Sequence, residues 1–216
     1  MRVAITGADG KVAQALIGQL DPVEFHITAL DLPGHDASDF DDLREATKGH
    51  DALIHLAWKN LGVDSVDPLN GVMYENAYRA AIANNIGLVI MGSSNHARDH
   101  KQRGPDGKIR YTGRAEVANN IYGVEKQKME AMGRFFAARD GLKVICVRIG
   151  NINPEDTPRP DTPTRWMSHR DWGRMVTLAL THDFDAGHFE VVYGVSDQPV
   201  FDWVNSFGYE PQDSVV

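Results

Sequence analysis

The sequence predicts an α/β fold built on a doubly wound parallel sheet. Short apolar and β-branched segments alternate with segments of helical period, which is the pattern of a parallel sheet covered by helices. The strand candidate Leu88-Val-Ile-Met91 is apolar throughout, as expected of a strand buried on both faces. At the N-terminus a strand candidate runs through a glycine-containing turn into a helix, which is the opening unit of many such sheets.

The predicted elements alternate regularly along the chain. Strands are predicted at residues 2–6, 25–30, 52–57, 87–92, 143–148 and 189–193. Helices are predicted between them, at residues 11–20, 39–47, 68–84, 120–139 and 169–180. Residues 154–163 are rich in Pro, Asp and Thr, and we expect them to form a loop over a site. We expect a single domain over residues 1–216, in which residues 151–216 contribute a small substrate-side lobe.

Composition and charge narrow the function classes. The chain has 216 residues, of which 42% are hydrophobic and 24% are charged, as in ordinary soluble globular proteins. The formal charge of −8 argues against a nucleic-acid partner. The densest basic stretch, with Arg98, Lys101, Arg103, Lys108 and Arg110, is predicted to be a solvated or substrate-side loop.

The single cysteine and the hydropathy pattern bear on location. Cys146 lies in an apolar strand candidate, where we expect a buried small side chain, and a lone cysteine excludes a disulfide within the chain. No apolar segment has the pattern of a signal region or the length of a membrane span. We expect a cytoplasmic protein with no membrane partner and no metal ion.

The segment Thr6-Gly-Ala-Asp-Gly-Lys-Val-Ala13 has the spacing of a dinucleotide-binding turn. Gly7 would allow the tight turn, Gly10 would let the backbone approach a pyrophosphate, and Ala13 would permit close packing of helix on strand. Strand before and helix after are the context that this motif requires. The segment predicts a Rossmann-type sheet that binds a dinucleotide.

Asp31 follows the second predicted strand, about twenty residues after the glycine turn. A carboxylate there can accept hydrogen bonds from ribose hydroxyls and would repel the 2′-phosphate of NADP. We therefore predict NAD, with NADP less favoured. Lys11 and Arg2 leave NADP open, because a cation near the adenosine could offset that repulsion.

Tyr122 and Lys126 are spaced i, i+4 on a predicted helix, so their side chains share one face. A cation beside a phenol favours the phenolate, which can take a proton from an alcohol. Ser94 follows a predicted strand at the sheet edge where such folds bind ligands, and its hydroxyl could hold the reacting oxygen against the phenol. By itself, the tyrosine–lysine pair is also a common coincidence on helices.

The glycine turn, Asp31, Asn70, Ser94 and Tyr122-x-x-x-Lys126 together resemble the extended-type short-chain dehydrogenase/reductase family, within the NAD-dependent epimerase/dehydratase superfamily. The nearest resemblance is to its uronate dehydrogenase-like sugar dehydrogenases. That narrower resemblance rests on five segments: Ser93-Ser-Asn-His96, Tyr122-Gly-Val, Val147-Arg-Ile-Gly-Asn151, Trp166-Met-Ser-His169 and Tyr193-Gly-Val-Ser-Asp197.

The resemblance implies a reaction. Tyr122 would act as base on the anomeric hydroxyl of a cyclic sugar, hydride would pass from C1 to NAD, and the product would be a lactone. Lys126 would hold the nicotinamide ribose and depress the pKa of Tyr122. Ser94 would hydrogen-bond the reacting oxygen.

The resemblance also implies binding residues. The cofactor contacts would be Gly7, Asp9, Gly10, Lys11, Val12, Asp31, Asp36, Leu56, Ala57, Trp58, Asn70, Tyr122, Lys126 and Ile149. The substrate contacts would be Ser94, Asn95, His96, Asn151 and an arginine, Arg159 or Arg165, for a sugar carboxylate. Several residues keep plainer alternatives: Asn70 as a helix N-cap, His96 as an exposed loop histidine, Trp58 as a core residue, Ser93 and Asn95 as caps of the strand end, and Asp31 as a solvated strand end.

Two departures from the family pattern affect these predictions. The chain after Asp31 is short, so the family's third strand should be vestigial or missing. The C-terminal part is also short, which favours a free monosaccharide over a nucleotide sugar. The family pairs the helices at 68–84 and 120–139 across a twofold axis, so we expect a homodimer or larger homo-oligomer.

Two other functions fit the same residues. An epimerase, dehydratase or ketone reductase could use the same scaffold. A regulatory protein that binds NAD without turnover is a third possibility, although such proteins tend to lose the tyrosine or the lysine, and both are present here.

Overall fold

A computed structural model describes residues 1–98, 117–197 and 204–215. The predicted basic loop, apart from Arg98, lies outside these residues. No helix among the described residues is long and apolar enough to cross a membrane.

The centre of the molecule is a six-stranded sheet in which every pairing is parallel. The strands are β1 (Arg2–Thr6), β2 (His26–Leu30), β3 (Ala52–His55), β4 (Leu88–Ser94), β5 (Val144–Ile149) and β6 (Phe189–Gly194). Their spatial order is β2-β1-β3-β4-β5-β6, so the chain winds in one direction from β1 to β2 and in the other from β3 onward. The predicted Rossmann-type fold is confirmed.

Five α-helices connect or flank the strands: α1 (Lys11–Ile17), α2 (Phe40–Ala46), α3 (Leu69–Ala83), α4 (Ile121–Asp140) and α5 (His169–Thr181). Polar side chains fix three of their starts, because Asp39, Asn120 and Ser168 each accept a hydrogen bond from a first-turn N–H group. Short 3₁₀ turns at Asn95–Ala97 and Pro163–Arg165 follow β4 and precede α5.

Two hydrophobic clusters cover the two faces of the sheet. One packs α1 and α5 on the strands and includes Leu16 and Trp172, whose indole N–H donates to the Val12 carbonyl at 3.1 Å. The other packs α3 and α4 and includes Tyr78 and Met129. Helices on both faces are what the continuously apolar strands predicted.

The segment between β2 and β3 contains α2 and turns but no strand. β2 is therefore the border strand on that side of the sheet as described. This confirms the prediction that the third strand of the family pattern is missing.

The apolar residues of α4 divide between core and surface, which the sequence could not resolve. Met129 and Phe136 are buried in the α3–α4 cluster, whereas Phe135 is 54% exposed. Homo-oligomerisation itself stays a prediction.

Candidate active site

A cavity of about 540 Å³ opens at the carboxyl ends of the strands. This is where doubly wound sheets bind ligands, between the two winding directions. The residues predicted for the site that line it are Gly7, Gly10, Lys11, Val12, Leu56, Trp58, Ser94, Asn95, His96, Tyr122, Lys126, Ile149, Asn151 and Arg159. Residues from both the glycine turn and the Tyr122 helix thus share one space.

Ser94 and Tyr122 meet at the wall of this cavity. Ser94 is the last residue of β4 and caps the following 3₁₀ turn, where its Oγ accepts from the His96 N–H at 3.2 Å. Its side chain also faces the phenol of Tyr122 closely enough to lower the pKa of that phenol. Because a backbone N–H already occupies an acceptor site of Oγ, the serine proton is free to point toward the phenol oxygen.

A glycine lets the first turn of α4 lie close to the 3₁₀ turn at Asn95–Ala97. A Cβ at Gly123 would overlap the carbonyl oxygen of His96. Any other residue at position 123 would push α4 away from the turn at Asn95–Ala97. The Gly of Tyr122-Gly-Val therefore has a steric role beside the phenol.

Lys126 lies one turn further along α4 and is almost fully buried. Its Nζ donates to the Gly92 carbonyl at 2.6 Å and lies 3.6 Å from the centroid of the Trp58 ring. A buried ammonium is disfavoured, so burial lowers the pKa of Lys126 to about 7, although the Glu130 carboxylate opposes this.

The electrostatics of Tyr122 differ from the prediction. We expected Lys126 to depress the pKa of the phenol; instead, burial raises the pKa of Tyr122, and only the hydrogen bond with Ser94 lowers it. The expectation was wrong for this structure because burial of the phenol has the largest effect on its pKa. Trp58 also packs edge-on against the phenol, with ring centroids 5.4 Å apart.

Glu130 and Arg148 form a buried ion pair near Lys126. Glu130, one turn beyond Lys126, accepts from Arg148 through both carboxylate oxygens, at 2.9 and 2.8 Å. Ser93 Oγ donates to the same carboxylate at 2.6 Å. These hydrogen bonds join α4 to β5 and to β4, where Ser93 directly precedes Ser94.

Asn95 and His96, two of the predicted substrate residues, lie in the 3₁₀ turn that follows β4. Asn95 is buried and lines the cavity, and its Nδ2 has no hydrogen-bond partner among the described residues. His96 is partly buried rather than an exposed loop histidine, and its ring lies edge-on to Tyr122 with centroids 5.9 Å apart. Both side chains line the cavity, and His96 lies next to the phenol.

Of the two arginine candidates, Arg159 lines the cavity and Arg165 does not. Arg159 is half-exposed and pairs with Asp161 at 3.2 Å. Arg165 contributes its carbonyl, which accepts from the Asn151 N–H at 2.5 Å, and burial lowers the pKa of its guanidinium. Asn151 Nδ2 in turn donates to Thr162 Oγ1 at 2.9 Å, which fixes the loop over the cavity.

The glycine turn fits a dinucleotide. Gly7 has a φ of +68°, and a Cβ there would lie 2.6 Å from the backbone nitrogen of Ala57, so only glycine lets the turn rest on the end of β3. Gly10 caps α1 without a side chain, which leaves the first-turn N–H groups without a side-chain acceptor. A backbone wall of this kind, beside a cavity, is what a pyrophosphate requires.

The other predicted cofactor residues lie away from the cavity wall. Asp31 accepts from the backbone N–H of Asp9 at 2.8 Å and so holds the glycine turn against the end of β2. Asp36 bonds the backbone and hydroxyl of Ser38, and these hydrogen bonds lower its pKa. Ala57 is the residue against which Gly7 packs.

Asn70 is fully buried inside α3, so its alternative as the N-cap is wrong. It instead binds the backbone of Lys59 through both ends of its amide, at 2.7 and 2.9 Å. That clamp shapes the loop bearing Asn60, Gly62 and Val63, which line the cavity and which the sequence did not single out.

Several known proteins are similar to this chain in sequence. A sequence model of the NAD dependent epimerase/dehydratase family matches residues 3–191. The chain is 29% identical to the uronate dehydrogenase of Pseudomonas syringae, over 99% of this chain and 82% of that protein. It is 26% identical to an NAD-dependent glucose-6-phosphate dehydrogenase of Haloferax volcanii, over 98% and 93% of the two chains. It is 32% identical to an L-arabinose 1-dehydrogenase (NAD(P)(+)) of the same organism, over 73% and 70%.

Solved structures show the same fold. The crystal structure of uronate dehydrogenase from Agrobacterium tumefaciens superposes with a TM-score of 0.81 at 23% identity, over 98% of this chain and 84% of that one. A variant of that enzyme in complex with NAD gives a TM-score of 0.80 at 23% identity, over 98% of this chain and 84% of the variant.

Proposed function

The chain belongs to the NAD dependent epimerase/dehydratase family, and we propose that it is an NAD-dependent dehydrogenase that oxidises the anomeric hydroxyl of a small sugar or sugar acid to a lactone. The matches confirm the resemblance to uronate dehydrogenase-like members that the sequence indicated.

The observation that carries the proposal is that Ser94 and Tyr122 lie side by side at the wall of the cavity that the glycine turn also lines. Two neighbouring hydroxyl groups can both bind the oxygen of a substrate alcohol. One hydroxyl can hydrogen-bond that oxygen while the other takes or gives the alcohol proton. Nothing in this arrangement requires a metal-bound water.

The fit of the glycine turn supports a bound NAD along Gly7, Gly10 and Val12, with Leu56 and Ile149 beside the reacting end. A bound nicotinamide supplies the acceptor for the hydride. We propose NAD over NADP because Asp31 places a carboxylate next to the glycine turn, where a 2′-phosphate would be repelled.

Within the cavity, Ser94 would donate to the anomeric oxygen and hold it against Tyr122. The Tyr122 oxygen, as phenolate, would take the proton of that hydroxyl while the C1 hydrogen leaves as hydride, and the C1–O bond becomes the lactone carbonyl. Lys126 Nζ carries more donors than its bond to Gly92 uses, so it can also bind a ribose hydroxyl. Trp58 limits its movement by lying directly against Nζ.

Burial of the phenol has a consequence for this reaction. Because the pKa of Tyr122 is raised, the phenolate is a minor form at neutral pH. The oxidation rate should therefore rise as the pH is increased into the alkaline range. A pH profile of kcat/KM that falls across this range would contradict Tyr122 as the base.

Three observations support a small sugar as substrate. The relatives are named for uronate, glucose 6-phosphate and L-arabinose, all without a nucleotide. Asn95 offers an unpartnered amide donor among the described residues, suited to a sugar oxygen. Arg159 lines the cavity and could bind a carboxylate or phosphate by exchanging Asp161 for the ligand.

The test is a screen of uronic acids, pentoses, hexoses and hexose phosphates with NAD and with NADP, followed by the absorbance of the reduced cofactor. We expect lasting NADH formation with at least one aldose, together with lactone that hydrolyses to the aldonic or aldaric acid. Interconversion of sugars without net NADH would instead indicate an epimerase. NAD binding without turnover of any sugar would instead favour a regulatory protein that senses NAD.

A further inference from the structure

His96 is held at one ring nitrogen by two consecutive asparagines. Its Nδ1 lies 2.9 Å from Nδ2 of Asn120 and 3.0 Å from Oδ1 of Asn119. The ring also lines the cavity, and its other nitrogen, Nε2, has no partner among the residues that the structure describes. The nitrogen that a ligand can reach is therefore Nε2.

The amide of Asn120 has a fixed orientation. Its Oδ1 accepts from the Gly123 N–H at 2.8 Å and caps α4. A half-turn of this amide would remove the cap, so the group that faces Nδ1 of His96 is the amide nitrogen, which only donates. A neutral imidazole that accepts at Nδ1 carries its proton on Nε2.

We propose that Asn120 is a positioning residue that holds His96 in the tautomer with the proton on Nε2, so that His96 presents a hydrogen-bond donor to an oxygen of the substrate. The part that concerns the substrate rests on the proposed function, whereas the tautomer depends only on the protein. Asn120 thereby links the start of the helix that carries Tyr122 to the chemistry of the cavity wall. The substrate groups selected are acceptors such as a carboxylate, a phosphate or a ring oxygen.

The side chain of Asn119 would favour the other tautomer of His96, with the proton on Nδ1. Its Oδ1 could accept from Nδ1 only if the proton were there. The oxygen and nitrogen of an asparagine amide exchange places by a half-turn. At Asn120 this turn would cost the α4 cap, in which the Asn119 side chain takes no part. The geometry therefore favours Asn120 as the residue that determines the tautomer of His96.

Two substitutions at Asn120 keep the cap and change only the group facing His96. Ser and Asp are N-caps about as good as Asn, so Asn120→Ser and Asn120→Asp should both retain α4. Serine is too short to reach Nδ1, and aspartate presents an acceptor there. We expect histidine ¹H–¹⁵N correlation spectra at alkaline pH to show the Nε2–H form in the wild type, a mixture in Asn120→Ser and the Nδ1–H form in Asn120→Asp.

The His96 signals are assigned by their loss in His96→Gln, and equal thermal melts confirm that the variants fold. Asn119→Ala is the matched control and should retain the Nε2–H form. An Nδ1–H tautomer in the wild type, or an Asn120→Asp variant that keeps the Nε2–H form, would overturn the proposal. So would a change of tautomer in Asn119→Ala with none in Asn120→Ser.

Steady-state kinetics at the same pH test the consequence for the substrate. Loss of one donor should raise KM for an acidic sugar about 3- to 10-fold in Asn120→Asp, with a smaller rise in Asn120→Ser and little change in kcat. If no sugar is oxidised, the proposed function fails while the spectra still decide the tautomer. If turnover is present and KM is the same in all three proteins, the role in substrate binding is overturned.

Discussion

The two ends of the cavity are built in different ways. At the Tyr122 end, charged side chains are buried and held by several partners: Lys126, Glu130 and Arg148 are 5%, 6% and 2% exposed. At the glycine-turn end, the wall is backbone, and its carboxylate, Asp31, is partly exposed and holds the N–H of Asp9. One end depends on fixed side chains and the other on the absence of side chains.

This difference corresponds to what each end would do in the proposed reaction. Proton transfer depends on oxygen–oxygen distances, and a small displacement is costly, so the groups around Tyr122 are immobilised. A pyrophosphate is bound by backbone N–H groups that any sequence can offer, provided that glycines let the backbone approach. We therefore expect the protein to be far more sensitive to changes of side chain at the first end.

The largest effect is expected from Tyr122→Phe. Removal of the phenol oxygen leaves Ser94 and the cofactor-binding residues in place but removes the proposed base. The oxidation rate should fall about 10²- to 10⁴-fold, with NAD binding retained. Rates are measured from NADH absorbance and NAD binding by calorimetry, and a rate near that of the wild type would exclude Tyr122 as the base.

The buried ion pair should matter next. Glu130→Ala leaves the Arg148 guanidinium buried without its carboxylate, and the free energy of unfolding should fall by about 3–5 kcal/mol. Ser93→Ala removes one hydrogen bond from the same carboxylate and should cost only about 1 kcal/mol. Urea unfolding of both variants checks the order, and equal losses would show that the ion pair has no special weight.

Lys126 provides a pH test of burial at the same end. Its pKa is lowered from 10.5 to about 7, so between these values the unfolded chain holds a proton that the folded chain has released. Stability contributed at this site therefore rises with pH from about 7, by up to about 1.4 kcal/mol per pH unit, and is lost again as the pH falls to 7.

Lys126→Met removes this titration. The stability difference between wild type and Lys126→Met, from urea unfolding at several pH values, should shift in favour of the wild type as the pH rises above 7. Below pH 7 the difference should be constant. A difference that stays constant across the alkaline range would mean that Lys126 titrates as an exposed lysine does.

The smallest effect is expected at the exposed end. Asp31→Asn removes a negative charge from a partly solvated position, where repulsion of a 2′-phosphate is worth roughly 1 kcal/mol. The ratio of kcat/KM for NAD to that for NADP should fall about 5- to 10-fold, with little change in stability. An unchanged ratio would remove Asp31 from cofactor selection.

The sequence predicted the fold well because its signals are local and repeated. Apolar strands, capped helices and the glycine turn each indicate one element, and six parallel strands with helices on both faces follow from their alternation. The ends of the elements were predicted less accurately. Helix α1 ends at Ile17 and strand β3 at His55, whereas the predicted elements ended at residues 20 and 57. At both places the predicted end ran on into loop that is still partly apolar.

The candidate site was predictable where position along a strand decides it. Ser94 ends a strand and Asn151 comes shortly after one, and topology brings strand ends together. The partners of side chains were not predictable in this way. That Lys126 faces Trp58 and Gly92, or that Asn70 clamps Lys59, depends on loop geometry that no spacing encodes. Glu130 could have been found, since it continues the i, i+4 series from Tyr122 and Lys126.

The missing third strand makes β2 the border of the sheet, and this has a consequence for solubility. A border strand exposes backbone groups to which another molecule could add a strand. β2 is only five residues long, and its polar His26 and Thr28 alternate with apolar neighbours. Thr28 is further engaged by the His50 ring at 2.7 Å. β2 is therefore a short border strand with polar side chains at alternate positions, which discourages aggregation at the edge that the third strand of the family pattern would have covered.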